Sequence, residues 1–164
     1  MKILILLIFN LLSSNSLFNN LVLENQKGGQ FHLQDTLNKY LYSIIVYSHY
    51  KQAKLGKGVR KELEKKFGKQ KEIKVIEIAN LSFIKGAGLF KTLIKGQFKI
   101  VKRDILLDYD GVIEKKFGFE KDKLNVYIFQ RGKFLKDITG LKKDDILEKI
   151  SKLVNIKVNN EKVK

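Results

Sequence analysis

The chain has 164 residues, which suits one domain, and its 33 basic and 17 acidic residues give a net charge of +16. It contains no cysteine, which excludes disulfides, thiolate metal sites and thiol redox chemistry, and no proline, which excludes a binding loop shaped by a cis-proline. Apolar residues make up 44% of the chain, enough for a core, so a largely disordered protein is also excluded.

The positive charge is carried almost entirely by lysine, since Arg60, Arg103 and Arg131 are the chain's arginines. A dedicated nucleic-acid binder usually relies more on arginine, whose planar fork matches phosphates and base edges. Abundant lysine, asparagine and isoleucine are typical of AT-rich coding, so a generally basic proteome is one interpretation. Attraction to an anionic partner is the other.

The first residues have the three parts of a secretory signal: a positive start at Met1-Lys2, an apolar run over 3–12 and a small polar stretch over 13–16. The apolar run is too short to span a membrane. We therefore predict a signal peptide over 1–16, with cleavage near Ser16, and membrane contact only through this segment. An uncleaved anchor is the alternative. The absence of a following cysteine excludes lipoprotein-type attachment.

The first half of the remaining chain predicts alternating strands and helices. The predicted elements are two short strands within 21–33 around a Gly28-Gly29 turn, a polar connection or single helical turn over 35–40, a buried strand over 41–48, a helix over 53–67 and a strand over 73–78. The helix is indicated by Leu55, Val59, Leu63 and Phe67, which recur every four residues.

The second half begins with an ambiguous stretch over 81–102. Phe83, Phe90 and Phe98 fit a buried helical stripe there, but glycines interrupt it. The elements predicted after it are a strand over 104–108, a turn over 108–111, a short helix over 112–119, a hairpin of strands over 124–129 and 134–139, and a helix over 141–154. The tail over 156–164 is polar, so the predicted domain covers 17–155.

The order of these elements predicts an α/β fold with a mixed central sheet and helices on both faces, because βαβ units pair strands in parallel and a hairpin adds antiparallel ones. Two segments carry a more specific likeness: "LLDYDGVIEKKFGF" over 106–119 and "NVYIFQRGKFLKDITG" over 125–140. They resemble the late part of the thioredoxin-like superfamily, in its redoxin or peroxiredoxin-like branch. The likeness covers about 21–154 and implies a thioredoxin-like fold.

The same resemblance places the redox Cys-x-x-Cys of the superfamily at Lys51-Gln-Ala-Lys54, and its cis-proline near Leu124 or Asn125. A lysine amine has no equivalent of thiolate attack on a disulfide, so thioredoxin or peroxidase activity is not expected. The stretch "SHYKQAKLGKGVRKEL" is similar in character to the cysteine-poor YtfJ family of bacterial periplasmic proteins. That resemblance implies periplasmic residence and a role without thiols.

The candidate site is the end of the buried strand and the start of the following helix. It comprises Ser48, His49, Tyr50, Lys51 and Lys54, with Leu124 and Asn125 on the facing loop. A helix N-terminus favours anions, and two lysines there would strengthen this preference. Two solvated lysines among many are the plainer interpretation.

Catalytic and cofactor patterns are weak. Ser48 and His49 are adjacent, so on a strand they would face opposite sides, which argues against a triad with Asp108 or Asp110. The two histidines and scattered carboxylates lack metal-ligand spacing, and the Gly-x-Gly pairs lack the complete phosphate-loop pattern. We expect no cofactor and no metal.

These observations predict a secreted periplasmic protein without thiol redox activity, acting as a binding or scaffold module for an envelope protein or an anionic envelope component. No specific nucleic acid is expected, and the sequence leaves the oligomeric state open. Two alternatives stay open: a redoxin-derived enzyme that uses His49 with Lys51 and Lys54, and a basic protein that binds nucleic acid through bulk charge.

Overall fold

The computed structural model describes residues 21–84, 96 and 103–161, with side chains described up to Val154. The strands are β1 (Val22–Asn25), β2 (Gln30–His32), β3 (Tyr42–Ser48), β4 (Ile73–Asn80), β5 (Leu106–Asp108), β6 (Leu124–Gln130) and β7 (Lys133–Gly140). The helices are α1 (Leu33–Lys39), α2 (Ala53–Phe67), α3 (Val112–Phe117) and α4 (Lys143–Glu161), with a short 3-10 helix at Tyr50–Gln52 before α2.

The seven strands form one mixed sheet in the order β2-β1-β5-β4-β3-β6-β7. The three central strands β5, β4 and β3 are parallel, and the strands on either side of them pair antiparallel. The β3–β4 pair is parallel because α2 crosses between the two strands, and the β6–β7 hairpin closes through Arg131 and Gly132, which both have positive φ. The predicted mixed sheet is confirmed.

Strand β3 separates two cores because its side chains alternate between the faces of the sheet. Ile44 and Val46 pack with buried residues of α2 and α4, whereas Ile45 and Tyr47 pack with α1 and α3 on the other face. All seven residues of β3 are buried. The prediction of helices on both faces is therefore confirmed, and β3 is the central strand that carries the predicted site at its end.

Several predicted elements differ from the structure in type or extent. The stretch over 35–40, predicted as a polar connection or a single helical turn, belongs to helix α1, which begins earlier, at Leu33, and buries Leu33 and Leu37 against the sheet. Helix α4 begins at Lys143 and continues to Glu161, past the predicted end at 154, and Leu141, expected to face inward, precedes it and is exposed. The prediction for 81–102 lies largely outside the described residues.

The helices within the described part of the chain were also compared with the length and hydropathy that a membrane-spanning segment requires. None of them is long and apolar enough to cross a bilayer.

Candidate functional site

The carboxyl ends of the three parallel strands meet at one edge of the sheet. In the strand register Ser48 of β3 lies beside Ala79 of β4, and Asn80 of β4 lies beside Asp108 of β5. In open α/β sheets this edge commonly forms the ligand crevice. It is also where the chain leaves β3 for the 3-10 helix and α2, so it contains most of the residues predicted from the sequence.

The predicted residues after β3 do not share one environment. Ser48 is buried, and it lies against Gly56 of α2, whose missing side chain leaves it room. His49 is partly exposed, whereas Tyr50, Lys51 and Lys54 are exposed. Ser48 and His49 thus differ in exposure, and His49 lies just beyond the end of β3. The exposure of both lysines places neither in the apolar environment that activates a lysine amine as a nucleophile.

The facing loop contributes less directly than predicted, because Leu124 and Asn125 are both buried. The side-chain amide of Asn125 donates to the carbonyl oxygens of Glu120 and Lys123 at 3.0 and 2.9 Å, and its oxygen accepts from the Glu120 backbone N–H at 3.1 Å. Every polar atom of that side chain therefore has a backbone partner. Both residues begin strand β6: Leu124 packs in the core, Asn125 fixes the loop before the strand, and neither offers its side chain to a ligand.

Three rings cluster around His49 at the edge of the sheet. Its ring centroid lies 4.3 Å from that of Tyr50, 4.5 Å from that of Phe83 and 6.3 Å from that of Phe119. Tyr50 and Phe83 are 4.8 Å apart, and they are 57% and 42% exposed. Phe83 is therefore not part of a buried stripe, which corrects the expectation for this residue; Phe90 and Phe98 lie outside the described residues.

These rings border a pocket of about 480 Å³. Its charged lining consists of Lys51, Lys121, Glu114 and Asp122. Glu114 projects from α3, and its Oε2 accepts from the Asn80 amide at 2.8 Å and from the Ser82 hydroxyl at 3.5 Å. The pocket thus combines exposed rings, two cations and two carboxylates, within the size range of small-molecule sites.

A second, smaller cavity of about 200 Å³ lies on the β4 side of His49 and is lined by Ser48, Ala53, Glu77 and Ile105, among others. Desolvation of the His49 ring lowers its pKa, the nearby Lys51 charge lowers the pKa further, and Glu114 opposes the shift. His49 is therefore neutral at neutral pH. Its Nδ1 atom is buried and accepts or donates no hydrogen bond within the described part of the chain.

The hydrogen-bond partners of Asp108 were not predicted from the sequence. It is fully buried, and its carboxylate accepts from the Tyr47 hydroxyl at 3.0 Å and from the backbone N–H groups of Val112 and Ile113 at 2.9 and 3.0 Å. It therefore caps α3 and does not pair with His49 in a triad. Over residues 21–84, 96 and 103–161, no group of three histidines or acids is arranged to hold a metal.

The pocket residues missed by the sequence analysis are Ser82, Glu114, Phe119, Lys121 and Asp122, together with the exposed position of Phe83. They follow β4 and β5, and reach His49 only because those strands end beside β3. No local motif marks them, since "DGVIEKKFGFEK" is explained by a turn and a short helix.

Comparison with solved structures settles the fold. The chain is similar to the pneumococcal exposed lipoprotein thioredoxin Etrx1 from Streptococcus pneumoniae, with a TM-score of 0.61 and 16% identity over 80% of this chain and 98% of that one. The protein has a thioredoxin-like fold. An uncharacterised thioredoxin-like protein from Porphyromonas gingivalis gives 0.57 and 16%, over 85% and 93% of the two chains. The dsbF protein of MTB gives 0.56 and 14%, over 85% and 97%.

Comparisons at the level of sequence add no family: no family model matches the chain, and no curated protein matches it. Identities below a quarter establish the thioredoxin-like fold and not a shared activity. The segment Lys51-Gln-Ala-Lys54 lies across the 3-10 helix and the first turn of α2. No cysteine lies at that point or elsewhere in the chain.

Proposed function

We propose that this protein is exported to the periplasm and acts there as a thioredoxin-fold binding module without thiol redox activity. It engages an envelope protein or an anionic envelope component through the sheet edge formed by His49, Tyr50 and Lys51. The observation that carries the proposal is the pairing of a chain without cysteine with an open pocket at this edge. Exposed rings beside charged side chains at this edge favour contact with a partner.

Export is supported by the signal-like first sixteen residues and by the character of the neighbours, one of which is an exposed lipoprotein. The resemblance of residues 48–63 to the cysteine-poor YtfJ family points to the same compartment. The intact mass of the protein isolated from its native cells tests this step. A species beginning near Leu17 supports export, and a species that retains Met1 contradicts cleavage and returns weight to an anchored or internal protein.

The binding surface is tested by photocrosslinking in the native cells, with a photoreactive phenylalanine analogue at position 50. The matched control places the analogue at Phe134, which is also exposed but lies on β7 near the opposite end of the sheet. We expect a discrete adduct from position 50 and none from position 134. Equal or absent labelling at the two positions contradicts a binding site at this edge.

An activity assay, combined with the crosslink, distinguishes the enzyme alternative from the binding module. If a turnover is found that Lys51→Ala and His49→Ala each abolish while the crosslink at position 50 persists, the binding-module proposal is wrong. We expect these substitutions instead to weaken the crosslink, because Lys51 and His49 line the pocket.

A further inference from the structure

The rings at the pocket form an outer surface and not a cage. His49, Tyr50 and Phe83 lie within 4.3 to 4.8 Å of one another, centroid to centroid, so no space for a cation remains between the three rings. About half of the surface of Tyr50 and Phe83 remains exposed. An exposed pair of this kind offers a face on which another ring can stack.

The cations at the pocket are available for an anion. Lys51 and Lys121 are both exposed and both line the pocket. The ion pairs found within the described part of the chain involve neither of them. Both charges act on His49, which places them around the same ring. An anionic group on a ligand stacked at Tyr50 and Phe83 therefore lies within reach of two ammonium groups.

The carboxylate of Glu114 favours a hydrogen-bond donor on the ligand, in contrast to the lysines, which favour an anionic group. Its Oε2 holds Asn80 and Ser82, whereas its Oε1 accepts no hydrogen bond within residues 21–84, 96 and 103–161. Glu114 and Asp122 also balance the charges of Lys51 and Lys121, so a simple inorganic anion gains little net attraction. A ligand that satisfies the pocket carries its negative charge on one side and an N–H or O–H donor on the other.

We propose that this pocket binds a small anion that contains a ring. The ring stacks on Tyr50 and Phe83, and the anionic group lies beside Lys51 and Lys121. An N–H or O–H group of the ligand donates a hydrogen bond to Glu114. The inference rests on the proposed binding function and names its ligand class. Both an acidic sugar and a mononucleotide have this chemistry. The pocket volume of about 480 Å³ accommodates either as a whole.

The test is calorimetric titration of the full chain at about 150 mM salt, where weak surface attraction is screened. The two probes are glucuronic acid and cytidine monophosphate. Their controls are glucose and cytidine, which keep a ring without the anion, and inorganic phosphate, which keeps the anion without a ring. We expect one of the two probes to bind at least about tenfold more tightly than its own ring control and than phosphate, since loss of either interaction costs roughly this factor.

Variants locate the binding. We expect Lys51→Ala and Phe83→Leu each to weaken the bound probe about tenfold, and Lys54→Ala to leave its affinity unchanged. Lys54 is a fair control because it is an exposed lysine on the same helix start that does not line the pocket. Far-ultraviolet circular dichroism confirms that each variant is folded.

Each outcome of these titrations either supports or overturns the inference. Binding of glucuronic acid or of cytidine monophosphate with this variant pattern supports the inference and identifies the source of the ligand. Equal binding of phosphate, equal effects of Lys51→Ala and Lys54→Ala, or binding of neither probe overturns it. A specific crosslink at position 50 without binding of either probe overturns this inference alone, whereas the loss of both overturns the proposed function as well.

Discussion

At the scale of single residues, the hydroxyl of Tyr47 donates a hydrogen bond to the buried carboxylate of Asp108, near the carboxyl ends of the parallel strands. Burial, followed by the negative charge of Asp108, raises the pKa of the Tyr47 hydroxyl, so this group stays protonated and donates at every physiological pH. Tyr47→Phe removes the donor and keeps the ring. We expect the free energy of unfolding to fall by about 1.5–3 kcal/mol, as for other hydrogen bonds to charged groups, measured by urea denaturation.

The matched control is Tyr127→Phe, on the neighbouring strand β6. Its hydroxyl is also largely buried but donates to the neutral carbonyl of Gly118. A hydrogen bond between neutral groups contributes about 1 kcal/mol, so the loss at Tyr127 should be the smaller. Equal losses at the two positions would show that the charge of Asp108 adds nothing to the Tyr47 contact.

A second buried charge lies beside the smaller cavity. Glu77 Oε2 is 3.0 Å from Arg60 Nε and 2.8 Å from Arg103 Nε, and the Arg60 contact lacks hydrogen-bond geometry, so charge attraction dominates it. Glu77→Gln leaves Arg103 facing a neutral amide, whereas Arg60 keeps its ion pair with Glu64. We expect a loss of about 1.5–3 kcal/mol in the free energy of unfolding, because a hydrogen bond between charged groups is lost.

The control for Glu77 is Glu148→Gln on α4, which removes an exposed partner of Lys152. Surface pairs of this kind add little, so the urea midpoint should stay within experimental error. If both substitutions give the same small change, Glu77 is solvated enough in solution that its pairing with Arg60 and Arg103 does not stabilise the fold.

At the scale of elements, the placement of the site depends on how closely α2 approaches β3. A side chain at Gly56 would lie 3.1 to 3.3 Å from atoms of Ser48 and Leu124, whereas at Gly58 it would meet only the Lys143 side chain at 3.7 Å. Alanine improves helix propensity by about 1 kcal/mol at either position. We expect Gly58→Ala to stabilise the protein by nearly this amount and Gly56→Ala to gain much less, measured by thermal and urea unfolding.

A larger side chain, valine, should increase the difference in stability between substitutions at Gly56 and at Gly58. Gly56→Val forces α2 away from Ser48 and should destabilise the protein, whereas Gly58→Val should be close to neutral. Because α2 begins just after the pocket residues Tyr50 and Lys51, the Gly56 variant should also weaken binding at the pocket. Similar stability for all four variants would contradict a close helix–strand contact at Gly56.

Elements with a strong internal pattern were predictable from the sequence. Strand β3 is an uninterrupted apolar run, and α2 repeats its apolar residues every four positions, so their types and ends agree with the structure. For the stretch of α1 the sequence left a polar connection and a single helical turn open, because only Leu33 and Leu37 are buried, too few to set a period. The register of Leu141 was wrong because the helix begins two residues later, and nothing local in "GLKKDD" marks that start.

The candidate site was predictable only in part, for a similar reason. Residues 48–54 follow a recognisable strand end, so their place at the edge of the sheet could be inferred. Phe83 and Glu114 join them through the parallel pairing of β3, β4 and β5, which has no signature in either residue's own surroundings. The burial of Leu124 and Asn125 likewise depends on packing against α2 and on a loop whose hydrogen bonds are visible only in three dimensions.

At the scale of the whole molecule, the net charge of +16 is a destabilising term, since like charges repel more strongly in the compact state than in the unfolded chain. Salt screens this repulsion over a distance of about 10 Å at 0.1 M. We therefore expect the melting temperature at pH 7 to rise as sodium chloride is increased from about 10 to about 300 mM, measured by differential scanning calorimetry.

The isoelectric point of the sequence, about 9.9, supplies the control for this prediction. Near that pH the net charge vanishes, so the same addition of salt should leave the melting temperature almost unchanged. A melting temperature that instead falls with salt at pH 7 would mean that attractive pairs such as Arg60 with Glu77 outweigh the repulsion. The repulsion among the surplus lysines would then not limit the stability of the fold.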